Sequence, residues 1–243
     1  MENIVSLFMK KNTLYFVLIS FFAVVLSTGQ DFGYEYYDNL NYRSIGVNYS
    51  AQEFSPLSSN TLTDSSRIKF VSNLPFIEYR ELGLRLAVGY QEYSATGQTH
   101  SSLSVYAESS NDFSLTGKAE KNGFFIPVIV SANYVNAEAV TPGAKDFEVG
   151  SLGIGTGIKY RYFSRSFGIQ LSGTGAFHYS SEGFSVEYGS SLSYAGEAVA
   201  TFPNLFLGGA VIGYRYQFQN WNMSDASFDY QRFYHGPFIG ILF

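Results

Sequence analysis

The chain has no cysteine, which excludes a disulfide scaffold, a thiolate-bound metal and a lipid anchor attached through an N-terminal cysteine. Charge is scarce: 14% of the 243 residues are charged, against about 25% in a soluble domain, so the surface offers water less than water ordinarily demands. Positive charge is scarcer still. The net charge of −5 leaves no basic face for a phosphate backbone and excludes nucleic acid as a partner. A long hydrophobic run is missing too, for the most apolar stretch, residues 14–26 (LYFVLISFFAVVL), is short of the roughly 20 residues that a spanning helix needs.

That short run has another meaning. Lys10-Lys11 precede it and Ser27-Thr28-Gly29 follow it, giving a basic segment, an apolar segment and small residues at a cleavage point. The pattern predicts a signal peptide over residues 1–29, starting at Met1 or at Met9, and one further domain over 30–243. Removing Glu2, Lys10 and Lys11 leaves 13 basic and 19 acidic residues, moving the charge from −5 to −6. Residues 31–39 (DFGYEYYDN) read as a short polar and aromatic lead-in.

What the chain does have is 20 Tyr, 23 Phe and 24 Gly, arranged with period two. Ile45, Val47 and Tyr49 alternate with Gly46, Asn48 and Ser50. Leu82, Leu84, Leu86, Val88 and Tyr90 alternate with Gly83, Arg85, Ala87, Gly89 and Gln91. The same contrast separates Phe124, Ile126, Val128, Val130, Ala132 and Tyr134 from Pro127, Ser131 and Asn133, and Leu152, Ile154, Ile158, Tyr160 and Tyr162 from three glycines, Lys159 and Arg161. It separates Phe167, Ile169, Leu171, Phe177 and Tyr179 from Gln170, Ser172, Thr174, Ala176, His178 and Ser180, and Ile212, Tyr214, Tyr216 and Phe218 from Gly213, Arg215 and Gln217. A soluble sandwich would carry Lys, Glu and Thr on its polar face. Here that face is mainly Gly, Ser, Ala, Asn and Gln, which suits a crowded barrel interior behind a lipid-facing wall.

The expected fold is therefore an all-β, antiparallel, transmembrane up-and-down β-barrel, the rival being a secreted β-sandwich. Tight turns are expected at Tyr79-Arg80-Glu81, Lys121-Asn122-Gly123, Ser164-Arg165-Ser166 and Pro203-Asn204, and long loops at residues 52–65, 136–146, 181–188 and 219–227. Strand direction then requires an even number of strands between Glu81 and Ser164, which recruits the weakly alternating residues 101–117 and gives ten strands. Eight is the alternative if that stretch is only a loop. Tyr160, Tyr162, Phe163 and Phe167, with Phe202 and Phe206, are expected at headgroup level.

The chain closes on Phe243, preceded at alternate positions by Ile241 and Ile239. This ending resembles the C-terminal assembly signal of outer-membrane β-barrel proteins, although Pro237 departs from the usual aliphatic or aromatic residue. With the signal peptide and the Gly-rich alternation, the mature chain resembles the small OmpA-like or OmpX-like barrels of the porin family. The resemblance implies a bacterial outer-membrane location, contact with its lipid and lipopolysaccharide, and the barrel-assembly machinery as a partner, with no cofactor. It implies a non-enzymatic structural, surface-binding or envelope-integrity role, with a narrow channel or hydrophobic-solute conduit as the alternative. The outer-loop ligand is not written in the sequence.

Arg85, Lys159, Arg161, Glu197 and Arg215 fall on the inward face and are expected to pair there, since an isolated buried charge is costly. His178 and Ser180 share that face, and the His-x-Ser spacing resembles the active strand of outer-membrane lipid A deacylases. In those enzymes, however, the reacting groups face lipid, so a hydrogen-bonded interior histidine is the plainer reading. His100 and His235 stand alone. The glycines of residues 150–157 (GSLGIGTG) lack the Lys and helix of a nucleotide loop.

Overall fold

Alternation with β-branched and aromatic residues drives an extended backbone, and the computed structural model contains ten such strands. They are β1 (Ser44–Pro56), β2 (Phe70–Glu81), β3 (Leu84–Ala95), β4 (Gln98–Ser114), β5 (Gly123–Ala137), β6 (Phe147–Phe163), β7 (Gly168–Glu182), β8 (Tyr188–Phe202), β9 (Ala210–Met223) and β10 (Tyr230–Leu242), with one short 3-10 turn at Ala226–Phe228. The structure describes residues 43–57, 67–95, 97–115, 122–141, 144–164, 166–183, 188–205 and 208–243. The signal peptide, the lead-in and Phe206 lie outside them.

Each strand pairs antiparallel with the next, and β10 returns to β1, so the sheet closes into a barrel with no free edge. Ten strands stand and the eight-strand alternative falls, because residues 98–114 form a full strand paired to both neighbours. Three local expectations are corrected. Tyr79-Arg80-Glu81 is not a turn but the end of β2; the chain reverses at Leu82-Gly83, where Gly83 takes φ 77°, a left-handed conformation that side-chain-bearing residues avoid. Leu82 accordingly belongs to that turn and not to a strand face. The expected loops at 52–65 and 219–227 begin later, since β1 runs to Pro56 and β9 to Met223.

The strands are longer than the 9–11 residues a bilayer needs, and their alternation changes sign along the way. Near the end that holds Ser44 and Leu242, here the terminal end, outward side chains are apolar: Ile154 is 69% exposed, Ile77 66% and Ile239 65%. Toward the other end, the loop end, the outward positions become Glu53, Glu92 and Asn222, while their inward neighbours are Phe54, Tyr93 and Trp221. Tyr49, Tyr90 and Tyr179 are the last outward aromatics before that reversal. The barrel thus has two storeys: a lower one with a greasy wall and a polar lumen, and an upper one with a polar wall and an aromatic core.

The seam between β1 and β10 is closed by glycines. A methyl group on Gly46 would sit 2.2 Å from the Ile239 carbonyl oxygen, and one on Gly236 would sit 2.1 Å from that of Tyr49, so neither position admits a side chain without parting the strands. The ladder is interrupted between Asn48↔Phe238 and Ala51↔His235, beside Pro237, which has no N–H to give.

Candidate functional site

The lumen is filled in three layers. At the loop end, Phe54, Phe70, Tyr93, Phe147, Trp221, Phe228 and Tyr230 form an aromatic cluster with Ile68, Val135 and Met223. Phe54 stacks on Tyr230 at 4.9 Å, and Phe147 meets Trp221 edge-on at 5.2 Å, both favourable ring geometries. The loop before β10 folds inward to complete it. Asp225 accepts the Ser227 amide at 2.9 Å and Asp229 the Met223 amide at 2.8 Å, which sets Phe228 into the cluster. Hydrogen bonds from Ser227 hold the Asp225 carboxyl below its ordinary range.

The middle layer is polar, with Arg232 as a charged member. Ser131 hydrogen-bonds His178 Nε2 at 2.9 Å, Gln219 Nε2 donates to Ser191 at 3.2 Å, and Tyr234 donates to Gln217 at 2.5 Å. Arg232, on the lumen face of β10, donates to Ser104 at 2.8 Å and lies over the Tyr234 ring at 5.2 Å. His178 and Ser180 both point into the lumen, but they are not partners: Ser180 pairs with Ser151 Oγ at 2.8 Å. Among the described residues no three carboxylates or histidines converge as metal ligands.

At the terminal end lies a layer of charge. Glu78 pairs with Arg85, and with Arg80 at 2.7 Å; Arg80 reaches Glu197 at 2.9 Å; Glu197 pairs with Arg215 at 3.0 Å, and Arg215 stands 3.7 Å from Glu108. A second group centres on Asp112, which takes Lys159 at 3.0 Å and also Arg161, whose Nε donates to Gln170 at 3.2 Å. The five charged residues expected on the lumen face, Arg85, Lys159, Arg161, Glu197 and Arg215, all lie in this layer. Sequence reading missed Glu78, Arg80, Glu108 and Asp112. Glu78 and Arg80 share a face of β2 with Phe70, Leu74 and Phe76, so their strand shows no apolar-out, polar-in contrast to read.

The charged layer surrounds a cavity of about 110 Å³ that reaches the rim at Ser44 and the β2–β3 turn. Its lining includes Arg85 of β3, Lys159 and Arg161 of β6 and Arg215 of β9, with Ser172, Thr174, Ala195 and Thr201 from β7 and β8, the two strands between β6 and β9. Phe163, expected in the outer girdle, lines this cavity instead, while Tyr162 faces outward and meets the Phe167 ring at 5.6 Å. Ile239, Ile241 and Phe243 are exposed on the outer wall, whereas Phe238 and Leu242 point inward.

No family model and no curated protein matches the chain. Among solved structures it is similar to the translocator domain of the autotransporter NalP from Neisseria meningitidis, at 8% identity and a TM-score of 0.29, covering 98% of this chain and 99% of that one. It is also similar to the CymD monoaromatic hydrocarbon channel, at 6% identity and a TM-score of 0.28, covering 84% and 89%. The class that the geometry itself defines is a closed, ten-stranded, antiparallel up-and-down β-barrel.

Proposed function

We propose that the protein is an integral outer-membrane β-barrel, sealed to ions and without catalytic activity, that serves the envelope as a structural body or through its loop-end surface. The observation that carries this reading is the two-storey wall. Exposed Ile77, Ile154 and Ile239 around a closed barrel suit hydrocarbon, and the change to Glu53, Glu92 and Asn222 marks where such a wall would leave it. Lipid and lipopolysaccharide would contact that belt, and Ile239, Ile241 and Phe243 would present the last strand to the barrel-assembly machinery.

The aromatic cluster speaks against the narrow-channel alternative, since among the described residues packed rings fill the loop end of the lumen. The hydrolase alternative is disfavoured by the inward His178, which bonds Ser131 and stands away from any lipid-exposed position.

Two measurements on the full-length protein test the proposal. The membrane fraction should contain it as a species whose migration on a denaturing gel shifts on heating, and the purified barrel should give no stepwise current across a planar bilayer. Recovery as a soluble periplasmic protein would overturn the membrane reading, and a stable stepwise current would establish the channel. His178→Ala should leave the lipid A species seen by mass spectrometry unchanged.

A further inference from the structure

We propose that the Arg232 guanidinium, in the middle of the lumen, is the centre of a binding site for one small inorganic anion of halide size.

The first argument is charge. In the charged layer Arg80, Arg85, Lys159, Arg161 and Arg215 each have a carboxylate as an ion-pair partner. Among the described residues Arg232 has none. It is 2% exposed, its Nη1 donates to the Ser104 hydroxyl at 2.8 Å, and its guanidinium lies over the rings of Tyr234 at 5.2 Å and Trp221 at 5.6 Å. The charged residue that acts on it is Arg85, a further cation. A hydroxyl and two ring faces soften the cost of burying this charge without neutralising it, which an anion would do.

The second argument is the set of polar atoms beside the guanidinium. The bond from Arg232 on β10 to Ser104 on β4 spans the sector of wall made by β1, β2 and β3. In that sector Gln52 of β1 is a diagonal neighbour of Arg232, Ser72 of β2 stands opposite Gln52 in register, and Gln91 of β3 accepts the Ser72 hydroxyl at 2.7 Å. Gln52 and Gln91 are both buried. Arg232 Nε, Gln91 Nε2 and both polar atoms of the Gln52 amide have no hydrogen-bond partner. N–H donors from three side chains, one of them a cation and none beside a carboxylate, suit an anion that accepts from all three.

The third argument is access. The ladder between β2 and β3 ends at Phe76↔Gly89, one step below Pro75, which has no N–H to give. Above that point, among the described residues, the two strands are held to each other by side chains, through the Ser72–Gln91 hydrogen bond and the stack of Phe70 on Tyr93 at 4.0 Å. The wall is therefore weakest where it borders the site, and a small ion can pass there without breaking a ladder bond. One side entrance makes a site and not a path through the barrel. The aromatic cluster on one side and Tyr234 on the other confine the ligand to an ion without an organic body.

The test is calorimetric titration of the purified, full-length protein in detergent at low salt with sodium bromide, followed by anomalous diffraction at the bromine edge from crystals grown with the same salt. One saturable site per barrel is expected, with the anomalous peak in contact with Arg232 Nε, and sodium gluconate should not bind. Arg232→Met should abolish binding. Gln52→Leu, which alters neither size nor charge to a large extent, should weaken it about tenfold. Absence of saturable bromide binding, a bromide peak only elsewhere on the barrel, equal binding by gluconate, or an unchanged affinity in either variant that keeps the heat-dependent gel shift would overturn the proposal.

Discussion

Arg80 Nη1 lies 2.9 Å from Glu197, joining β2 to β8 straight across the lumen, although β1, β10 and β9 stand between these strands in the wall. The pair is a cross-brace, and each partner also has a second ion pair, Arg80 with Glu78 and Glu197 with Arg215. Removing one charge of such a group leaves the others incompletely compensated. Glu197→Gln strips a partner from two arginines and should cost about 3 kcal/mol; Arg80→Met, which leaves Glu78 with Arg85 and Glu197 with Arg215, should cost less. Urea unfolding in lipid vesicles, read as a double-mutant cycle, should give a coupling of about 1 kcal/mol or more.

The proposed membrane placement makes a depth-dependent prediction. Ile154→Lys, in the middle of β6, should cost about 2–4 kcal/mol and lower the folded fraction in vesicles, whereas Val71→Lys, near the loop end of β2 and 75% exposed, should cost about 0–1 kcal/mol. Equal tolerance at the two sites would mean that the lower wall does not meet hydrocarbon.

The aromatic cluster should behave as a packed core. Trp221 is fully buried between Phe54, Phe147 and the Ser151 hydroxyl, to which its indole N–H donates at 3.3 Å. Trp221→Ala should lower stability by about 3–5 kcal/mol, and Trp221→Phe by less, with thermal unfolding as the measurement.

Two glycines of the same backbone conformation should differ in their tolerance of alanine. Gly83 and Gly97 have φ of 77° and 78°, but a methyl group on Gly83 would lie 2.7 Å from the Ser110 carbonyl oxygen, while one on Gly97 would meet nothing within 4 Å. Gly97→Ala should cost about 1–2 kcal/mol from backbone strain alone. Gly83→Ala should cost more, as measured by urea unfolding of the two variants in lipid vesicles.

The lower storey was legible because there the two faces of a strand differ in the sense a membrane barrel requires. Ile154 and Ile158 against Gly155 and Lys159 on β6 fix the phase of that strand, and an even count between Glu81 and Ser164 fixes the number at ten. The upper storey was hidden for a physical reason. Past the Tyr49 and Tyr90 level the outward side chains include Glu53, Glu92 and Asn222 and the lumen is aromatic, so Glu53 against Phe54, or Asn222 against Trp221, looks like loop sequence when one rule of alternation is applied throughout. The same cause concealed β2, whose inward face carries Phe70, Leu74 and Phe76 above Glu78 and Arg80. The cavity could not be anticipated from residue types alone, because it depends on the closed barrel setting the small Ser172, Thr174 and Ala195 of β7 and β8 between the charged side chains of β6 and β9.

Because β10 is the neighbour of β1, the cylinder has no partial form that is free of hazard. A chain stopped before Tyr230 would expose the unpaired backbone of β1 at one side and of β9 at the other, two sticky borders able to recruit further copies. Joining the borders requires contacts between residues nearly the whole chain apart, so the β1–β10 seam is expected to close more slowly than the hairpins between sequence-adjacent strands. Any helper that shortens the lifetime of the open sheet would act there first.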